Sequence, residues 1–427
     1  MKVLQLALDF VDLHRAIKVA QETEEDVDWV EVGTPLIKSE GLDAVRAVKK
    51  RFGKKRILAD MKTVDTGRVE VEAAAKAGAD IVIVLGVADD STIEECVKAA
   101  KNYGCEIMVD LIGSKDIVKR ALELEEMGVN YICVHVSIDQ QMKGMRFVDE
   151  LKKLRDQVRV PLAVAGGVNS ESAADAVEAG ADIIVVGGAI IKAKDAKKAA
   201  RDIKGAMLTG KKVKTELFKR ISTEEEIRKI FGVVSCANIS DALHRQRALK
   251  DMKTVTPDVK MVGKAITVRT YPGDWAKPVE AIDLAKEGDV IVIDAGGMEP
   301  AVWGELASES CVKKGISGAV INGAVRDTEE IKKLKFPVFA KIITPNAGEP
   351  RGFGEIGTPI EIDGAMIRNG DWITGDNDGV VIIPREDVVE AANRAMDVLE
   401  KENRIRGEIR EGSTLSEVCR LKKWEKV

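Results

Sequence analysis

The first half of the chain alternates short apolar runs with amphipathic segments. The runs are rich in Val, Ile and Leu, which is typical of strands buried on both faces. They lie at Val3–Leu8, Trp29–Val32, Ile57–Met61, Ile81–Leu85, Glu106–Leu111, Tyr131–Val136, Leu162–Ala165 and Ile183–Val186. Helical periodicity occurs at Leu13–Glu22, Leu42–Phe52, Val69–Ala77, Thr92–Tyr103, Ile117–Met127, Phe147–Gln157, Ser172–Ala179 and Ala193–Met207. Eight alternating strands and helices predict an α/β fold, a closed (β/α)8 TIM barrel.

The regular alternation of strands and helices ends after the eighth helical segment. A Lys-containing stretch over 209–223 ends in the helix-start signal Ser222-Thr223-Glu224. We place a domain boundary near residue 212, which gives domains 1–212 and 213–427. Strand patterns beyond it lie at Ala265–Arg269, Asp289–Asp294, Ala319–Ile321 and Val338–Ile343, with a hairpin-like section over 359–384. This spacing predicts a separate α/β domain rather than a second barrel.

Composition narrows the function classes. A net charge of -5 with 32% charged residues argues against a general nucleic-acid-binding surface. No apolar run approaches the length of a membrane span, so we expect a soluble, cytoplasmic protein without a membrane partner. Six Cys without paired CxxC spacing indicate reduced, mostly buried residues. With three His, a His-rich metal centre is excluded, and any metal should be a hard cation held by carboxylates.

Polar residues of the first half are concentrated at the C-terminal ends of the predicted strands, where the active sites of barrels lie. They are Asp9, Glu31, Asp60, Lys62, Asp110 and His135. If the third strand is extended as far as Lys62, Asp60 and Lys62 project to the same face. Burying such a pair is costly, which favours a site, while a surface ion pair at a strand end is the alternative.

Glycine pairs follow the last two predicted strands. Gly166-Gly167 follows the seventh strand and Gly187-Gly188 the eighth. Glycines let backbone N–H groups approach a phosphate, and the following helix N-terminus favours negative charge. The pattern predicts a phosphorylated small molecule as ligand.

These residues carry a family resemblance over about residues 1–208. Asp60-x-Lys62-x-x-Asp65, with Asp9, Glu31 and His135, resembles the orotidine 5'-monophosphate decarboxylase superfamily. Within it, His135-Val136-Ser137-Ile138-Asp139-Gln140-Gln141 is similar to the His-x-x-x-Asp-x-Gln segment of the 3-hexulose-6-phosphate synthase family. Decarboxylase relatives typically carry an Arg after the strand 8 glycine, and Gly187-Gly188-Ala189-Ile190 has none. This departure disfavours the alternative, a 3-keto-L-gulonate 6-phosphate decarboxylase.

The resemblance implies a lyase that joins ribulose 5-phosphate and formaldehyde, in a direction that the sequence does not encode. Glu31 and Asp60 would then bind Mg²⁺ or Mn²⁺, Lys62 would donate to the developing oxyanion, and His135 would move the C1 proton. Asp65 would reach substrate across a dimer interface. The remaining substrate-binding residues would be Asp9, Asp110, Asp139, Gly166, Gly167, Gly187 and Gly188.

The second half resembles a fold shared by the regulators of ribonuclease activity and the class II 4-hydroxy-4-methyl-2-oxoglutarate aldolases, over about residues 222–400. The resemblance rests on Ala237–Leu243, Gly304-Glu305-Leu306 and Gly323-Ala324-Val325-Arg326-Asp327. Glu305 precedes Arg326-Asp327 by the spacing of the aldolases, although Glu replaces their usual Asp.

The resemblance implies that Arg326 holds a pyruvate-like carboxylate and that Asp327 anchors magnesium, as in a pyruvate aldolase or oxaloacetate decarboxylase. A ribonuclease-binding or assembly role without catalysis is the alternative. The family pattern also implies a homo-oligomer built from a dimeric barrel and a trimeric second domain.

Overall fold

The computed structural model describes residues 2–142, 148–215, 221 and 223–419, apart from the side chains of residues 138 and 139. The described residues form two compact units. The first contains residues 2–141, 148–215 and 403–419, and the second contains residues 142, 221 and 223–402.

Eight parallel strands of the first unit close into a barrel in sequence order, with β1 paired to both β2 and β8. The strands are β1 (Val3–Leu8), β2 (Trp29–Val32), β3 (Arg56–Thr63), β4 (Ile81–Leu85), β5 (Glu106–Asp110), β6 (Tyr131–His135), β7 (Leu162–Ala165) and β8 (Ile183–Val186). The predicted barrel is confirmed, and the bounds differ from the apolar runs by at most two residues at an end.

Helices surround these strands. They are α1 (Leu13–Glu22), α2 (Thr34–Glu40), α3 (Asp43–Arg51), α4 (Gly67–Lys76), α5 (Asp90–Tyr103), α6 (Ile117–Glu126), α7 (Ile138–Met142), α8 (Val148–Arg155), α9 (Ala173–Glu178), α10 (Gly188–Ile191) and α11 (Ala196–Thr209). The short helices α2, α7 and α10 were not predicted from the sequence, because four to seven residues are too few to display a helical period.

Alternation along the strands divides the core in two. One set of side chains packs between strands and helices, and the other fills the barrel axis, including Ala7, Leu58, Met108 and Cys133. Because side chains alternate with a period of two, residues two positions further along each strand point to the same axis at the barrel mouth. Asp9, Asp60, Asp110 and His135 occupy those positions.

The same side-chain-to-backbone hydrogen bond recurs at every second strand, at the N-terminal end of the barrel. The residue immediately before each even-numbered strand accepts, with its side chain, a backbone N–H from the preceding odd-numbered strand. The pairs are Asp28 with Leu4 (2.8 Å), Asp80 with Ile57 (2.8 Å), Asn130 with Ile107 (2.9 Å) and Asp182 with Leu162 (3.1 Å). These side chains satisfy N–H groups at the strand starts, so the Ala-Gly-Ala-Asp sequence that occurs at 77–80 and again at 179–182 is structural.

The second unit is built on a mixed sheet in the order β18-β17-β10-β11-β12-β13-β9, with β14 paired to β10. Its strands are β9 (Lys253–Thr254), β10 (Met261–Arg269), β11 (Val290–Asp294), β12 (Gly318–Val325), β13 (Val338–Ile343), β14 (Glu355–Ile356), β15 (Ile360–Ile362), β16 (Ala365–Ile367), β17 (Trp372–Asp376) and β18 (Gly379–Ile383). Strands β10 to β13 are parallel, and the late section forms two hairpins, β15 with β16 and β17 with β18.

The remaining helices are α12 (Glu224–Val233), α13 (Cys236–Ala242), α14 (Ala276–Leu284), α15 (Glu305–Lys314), α16 (Thr328–Leu334), α17 (Val388–Arg410) and α18 (Leu415–Cys419). Thr223 and Glu226 form the capping box expected at the start of α12. Four of the six cysteines are buried, as predicted. In the part of the chain that the structure describes, no helix combines the length and apolar character needed to cross a membrane.

Candidate active site

A bulge in β3 places Lys62 at the barrel mouth. Pairing with β4 runs in register as far as Asp60, and then skips to Thr63. β3 continues through Lys62 to Thr63, but Lys62 itself adopts a left-handed conformation with a φ of 48° and is not extended as predicted. A non-glycine residue in this region costs about 1–3 kcal/mol, and such residues cluster at functional sites. The predicted consequence still holds, because Lys62 Nζ lies 3.3 Å from Asp60 Oδ2.

Lys62 also contacts Asp110 at the end of β5. Its Nζ donates to Asp110 Oδ2 at 2.9 Å. Burial lowers the pKa of Lys62, but the negative charges of Asp60 and Asp110 outweigh it and raise the pKa above its usual value. The ammonium therefore stays protonated and bridges two buried carboxylates.

His135 completes the cluster from β6. Its Nδ1 lies 2.7 Å from Asp110 Oδ2, and Asp110 Oδ1 accepts the N–H of Ile112 at 2.9 Å. Burial raises the pKa of Asp110, but hydrogen bonds and positive charge from His135 and Lys62 prevail and hold it at about 2. Because an ionised carboxylate only accepts, Nδ1 donates to Asp110, and Nε2 is the ring nitrogen left to exchange a proton.

Glu31 and Asp60 form a pair of buried carboxylates beside Lys62. Burial, followed by the negative charges of Asp60 and Asp9, raises the pKa of Glu31 well above its usual value. Gln5 Nε2 donates to Glu31 Oε2 at 2.6 Å, and Thr34 Oγ1 donates to Asp60 Oδ2 at 2.7 Å. Among the described residues, Asp60 Oδ1 is buried and has no hydrogen-bond partner. A bound cation would offset the repulsion between the two carboxylates and would coordinate the unpartnered Asp60 oxygen. This donor set therefore fits a hard divalent ion.

No cluster of three or more His, Cys, Asp or Glu side chains suited to a metal ion occurs within residues 2–142, 148–215, 221 and 223–419. A protein contribution of two carboxylates suits Mg²⁺, which commonly retains water and takes further oxygens from its substrate.

The predicted phosphate-binding glycines line the opposite part of the rim. Gly166 and Gly167 have φ values of 99° and 76°, which disfavour other residues. A Cβ on Gly166 would lie 2.2 Å from the carbonyl oxygen of Val136, so the close approach also requires glycine. Gly187 and Gly188 stand at the start of α10, and a Cβ on Gly187 would lie 2.9 Å from Asp9 Oδ2. Asp9 is thereby placed beside the strand 8 glycines.

Two predicted residues stand apart from this cluster. Asp65 is exposed, and its Oδ1 accepts the N–H of Thr66 at 2.6 Å instead of contacting Lys62 or His135. The side chain of Asp139 lies outside the described residues.

Sequence reasoning missed three supporting residues, namely Gln5, Thr34 and Gln141. Gln5 is fully buried in the apolar β1, and an isolated polar residue in such a strand was a usable signal. Gln141 Nε2 donates to the Val136 carbonyl at 2.9 Å beside Gly166, and it closes the segment that carries the family resemblance. Thr34 is the first residue of α2, and threonine is ordinary at the start of a helix, so its contact with Asp60 was not predictable.

The second unit brings its three predicted residues together. Asp327 follows β12 with a φ of 58°, and its Oδ2 lies 3.2 Å from Arg326 Nε and accepts the N–H of Glu305 at 3.4 Å. A Cβ on Gly304 would lie 2.6 Å from the same oxygen, which explains the glycine. Desolvation and then the negative charges of Glu309 and Asp327 raise the pKa of Glu305.

Comparison with known families agrees with this division of the chain. The model of the orotidine 5'-phosphate decarboxylase / HUMPS family matches residues 2–203, and the model of the RraA-like family, described as Aldolase/RraA, matches residues 236–382.

The relatives matched by the first half are enzymes. The 3-hexulose-6-phosphate synthase of Bacillus subtilis (strain 168) is 40% identical over 208 residues, which are 48% of this chain and 99% of the relative. The synthase of Mycobacterium gastri is 43% identical over 204 residues, with the same two shares. The first half also matches the crystal structure of 3-hexulose-6-phosphate synthase from Salmonella typhimurium, with 40% identity and a TM-score of 0.48. The match covers 49% of this chain and 100% of the synthase chain. Through its first half the chain belongs to the orotidine 5'-phosphate decarboxylase / HUMPS family of enzymes, beside the 3-hexulose-6-phosphate synthases, and it continues into an RraA-like domain.

Proposed function

We propose that the barrel is a lyase that reversibly joins D-ribulose 5-phosphate and formaldehyde to give D-arabino-hex-3-ulose 6-phosphate. One observation carries the proposal: the Lys62 ammonium contacts Asp60 and Asp110, and Asp110 holds His135, all at the barrel mouth. An acid, a base and a fixed cation are the groups that an enediolate reaction needs. The 3-hexulose-6-phosphate synthase relatives supply the substrate class.

His135 is the proposed base. Nε2 takes a proton from C1 of ribulose 5-phosphate, the electron pair of the C1–H bond forms a C1=C2 double bond, and the π pair of the C2 carbonyl moves onto its oxygen. Asp110 stabilises the imidazolium that forms, because its carboxylate remains ionised and hydrogen-bonded to Nδ1. C1 then attacks formaldehyde: the C2 carbonyl re-forms, a C–C bond replaces the π bond of formaldehyde, and the resulting alkoxide takes back the proton from Nε2 of the imidazolium.

Lys62 is the proposed oxyanion donor. Its ammonium is held by two carboxylates, so it is positioned before substrate arrives and needs no reorganisation. Glu31 and Asp60 are the proposed ligands of Mg²⁺ or Mn²⁺, which when bound supplies positive charge to the oxygens on C1 and C2. Asp9, Asp110 and Asp139 are proposed to bind substrate hydroxyls.

The phosphate end is assigned to Gly166, Gly167, Gly187 and Gly188, whose backbone N–H groups are the proposed donors. Asp65 is proposed to serve the site of a second copy. Val64 and Val69, which flank it along the chain, are 54% and 66% exposed, as suits an interface between barrels. We retain residues 1–212 as the proposed catalytic domain.

The proposal is tested with the full chain, ribulose 5-phosphate, formaldehyde and MgCl₂, and the product is identified by mass. Asp60→Ala should lower formaldehyde-dependent consumption at least about 100-fold. Asp89→Ala is the matched control, because Asp89 is exposed at the same rim and makes no side-chain cap contact. Release of carbon dioxide from 3-keto-L-gulonate 6-phosphate without formaldehyde consumption would select the decarboxylase instead.

For the second unit we propose a metal-dependent lyase acting on a 2-oxo acid. The observation that favours it is the convergence of Glu305, Arg326 and Asp327. Arg326 offers a bidentate fork to a pyruvate-like carboxylate, and Asp327 offers an oxygen to magnesium. Assembly into trimers through this domain belongs to the same proposal.

Pyruvate release from oxaloacetate or a 4-hydroxy-2-oxo acid in the presence of MgCl₂ tests this second site. Asp327→Ala should abolish it, while Asp283→Ala, an exposed residue on α14, should not. Absence of pyruvate release by the unmodified chain favours a ribonuclease-binding or assembly role, which binding of a ribonuclease in a pull-down would support.

A further inference from the structure

A segment beyond the barrel pairs with the loop that carries Gly166 and Gly167. The N–H of Val213 donates to the Ser170 carbonyl at 3.1 Å, and Ser170 Oγ donates to the Val213 carbonyl at 2.8 Å. The N–H of Thr215 donates to Glu171 Oε1 at 3.0 Å. Ser170 is 5% exposed, so its two bonds to Val213 are largely shielded from solvent. The loop that follows β7 is thus held by residues outside the 2–203 range of the family model.

A second anchor holds the helix after β8. Arg404, on the part of α17 that belongs to the first unit, donates from Nη1 to the carbonyl of Ile191, the last residue of α10. Glu408 accepts from Arg404 Nε at 3.4 Å and from Arg15 Nη2 at 2.7 Å, which ties the guanidinium to α1. The Arg404 side chain is 18% exposed.

A helix of one turn leaves most of its backbone groups without helical partners, and its end carbonyls need other donors. α10 contains only Gly188–Ile191, so it gains little stability of its own. A guanidinium at its C-terminal carbonyl satisfies an acceptor and complements the helix dipole. Arg404 therefore adds a side-chain contact to the end of the turn that begins at Gly188.

We propose that Arg404 and the segment Val213–Thr215 are positioning elements for the phosphate-binding loops of the barrel. They touch no substrate themselves. They fix the glycine-bearing backbone after β7 and β8 from positions that the matched family model does not include. The inference rests on the proposed function for the identity of the phosphorylated substrate.

The test measures two quantities in the full chain: the steady-state constants for ribulose 5-phosphate, and the affinity for inorganic phosphate by calorimetry. Arg404→Ala should raise KM and the phosphate Kd together by roughly tenfold, while kcat changes by less than about twofold. Displaced glycine loops weaken binding of the substrate phosphate, which is remote from the reacting carbon. Arg404→Lys should recover most of the affinity. Arg410→Ala, an exposed arginine on the same helix, should match the unmodified chain.

Ser170→Ala is the second, independent variant, since it removes one bond to Val213 and leaves Arg404 in place. It should raise KM and phosphate Kd in the same direction. Unchanged phosphate affinity in both variants of an active enzyme would overturn the inference. So would an equal loss of kcat and affinity that Arg404→Lys fails to rescue, which marks a purely structural role. Weakened phosphate binding in a chain without formaldehyde-dependent activity would support the positioning role and reject the proposed reaction.

Discussion

Nδ1 of His135 and Nζ of Lys62 both contact a single atom, Oδ2 of Asp110, at 2.7 and 2.9 Å. Asp110 is 2% exposed, and its pKa of about 2 keeps it ionised across the pH range of any assay of the enzyme. One buried carboxylate therefore fixes the tautomer of the proposed base and the position of the proposed oxyanion donor.

Replacing Asp110 by Asn should disable both groups. The amide carries no charge to stabilise the imidazolium, and it leaves Lys62 with Asp60 as its charged partner. We expect kcat of the formaldehyde reaction to fall on the order of 10²–10⁴-fold, a larger effect than the rise in KM that follows from losing a proposed hydroxyl contact to ribulose 5-phosphate. Asp89→Asn is the control at the same rim, and a kcat for Asp110→Asn within threefold of that control would contradict the assignment.

His135→Gln should stop the first proton transfer. In D₂O without formaldehyde, the unmodified chain should exchange the C1 proton of ribulose 5-phosphate, which NMR follows as loss of the C1 signal. Glutamine retains a hydrogen-bonding group near Asp110 but supplies no basic nitrogen, so exchange should slow at least about 100-fold. His14→Gln is the matched control, because His14 is an exposed histidine on the first turn of α1. Exchange at an undiminished rate would assign the proton transfer to another residue.

Glu31→Gln should have opposite effects on the stability of the metal-free protein and on its response to magnesium. In the absence of divalent ions, removing one of two repelling buried carboxylates should raise Tm. Added MgCl₂ should then raise the Tm of the unmodified chain but hardly that of the variant, because ligand binding stabilises only a fold that retains the site. The exposed Glu94→Gln should keep the full magnesium response. An equal magnesium shift in Glu31→Gln and the unmodified chain would exclude Glu31 as a ligand.

The barrel was predictable because its strands are continuous apolar runs, and the inward-facing register follows once a strand is placed. Trp29 and Glu31 share one face of β2, as Leu58 and Asp60 share one face of β3, so alternation alone brings the carboxylates to the axis. The position of Asp110 and His135 follows from the same rule.

The local conformation of Lys62 and the contacts that support the cluster from distant parts of the chain were not predictable. A left-handed Lys62 is stabilised by its carboxylate partners from two strands, and residue type gives no indication of it. The contact of Thr34 with Asp60 and that of Arg404 with Ile191 join distant parts of the chain, which local patterns do not encode.

Asp274 offers a test of stability in the second unit, away from either proposed site. The side chain is 2% exposed and accepts the N–H groups of Ala276, Arg351 and Phe353 at 3.1, 3.0 and 2.8 Å. Desolvation raises the pKa of Asp274, but these backbone donors, with Gly352, outweigh it and lower the pKa below its usual value. The ionised carboxylate is therefore the form that stabilises the fold.

Asp274→Asn should destabilise the protein at neutral pH by about 1–3 kcal/mol, because the amide has one acceptor oxygen and no charge. A depressed carboxylate contributes fully above its unfolded pKa of about 3.9, and the contribution is lost as the pH falls through the lower folded value. Urea unfolding followed by near-UV circular dichroism should therefore show a difference that is constant from pH 7 to 5 and shrinks below about pH 4. Asp283→Asn, exposed on α14, should show no difference at any pH. A destabilisation by Asp274→Asn that stayed undiminished in acid would mean that packing, and not the charge, is what the carboxylate provides.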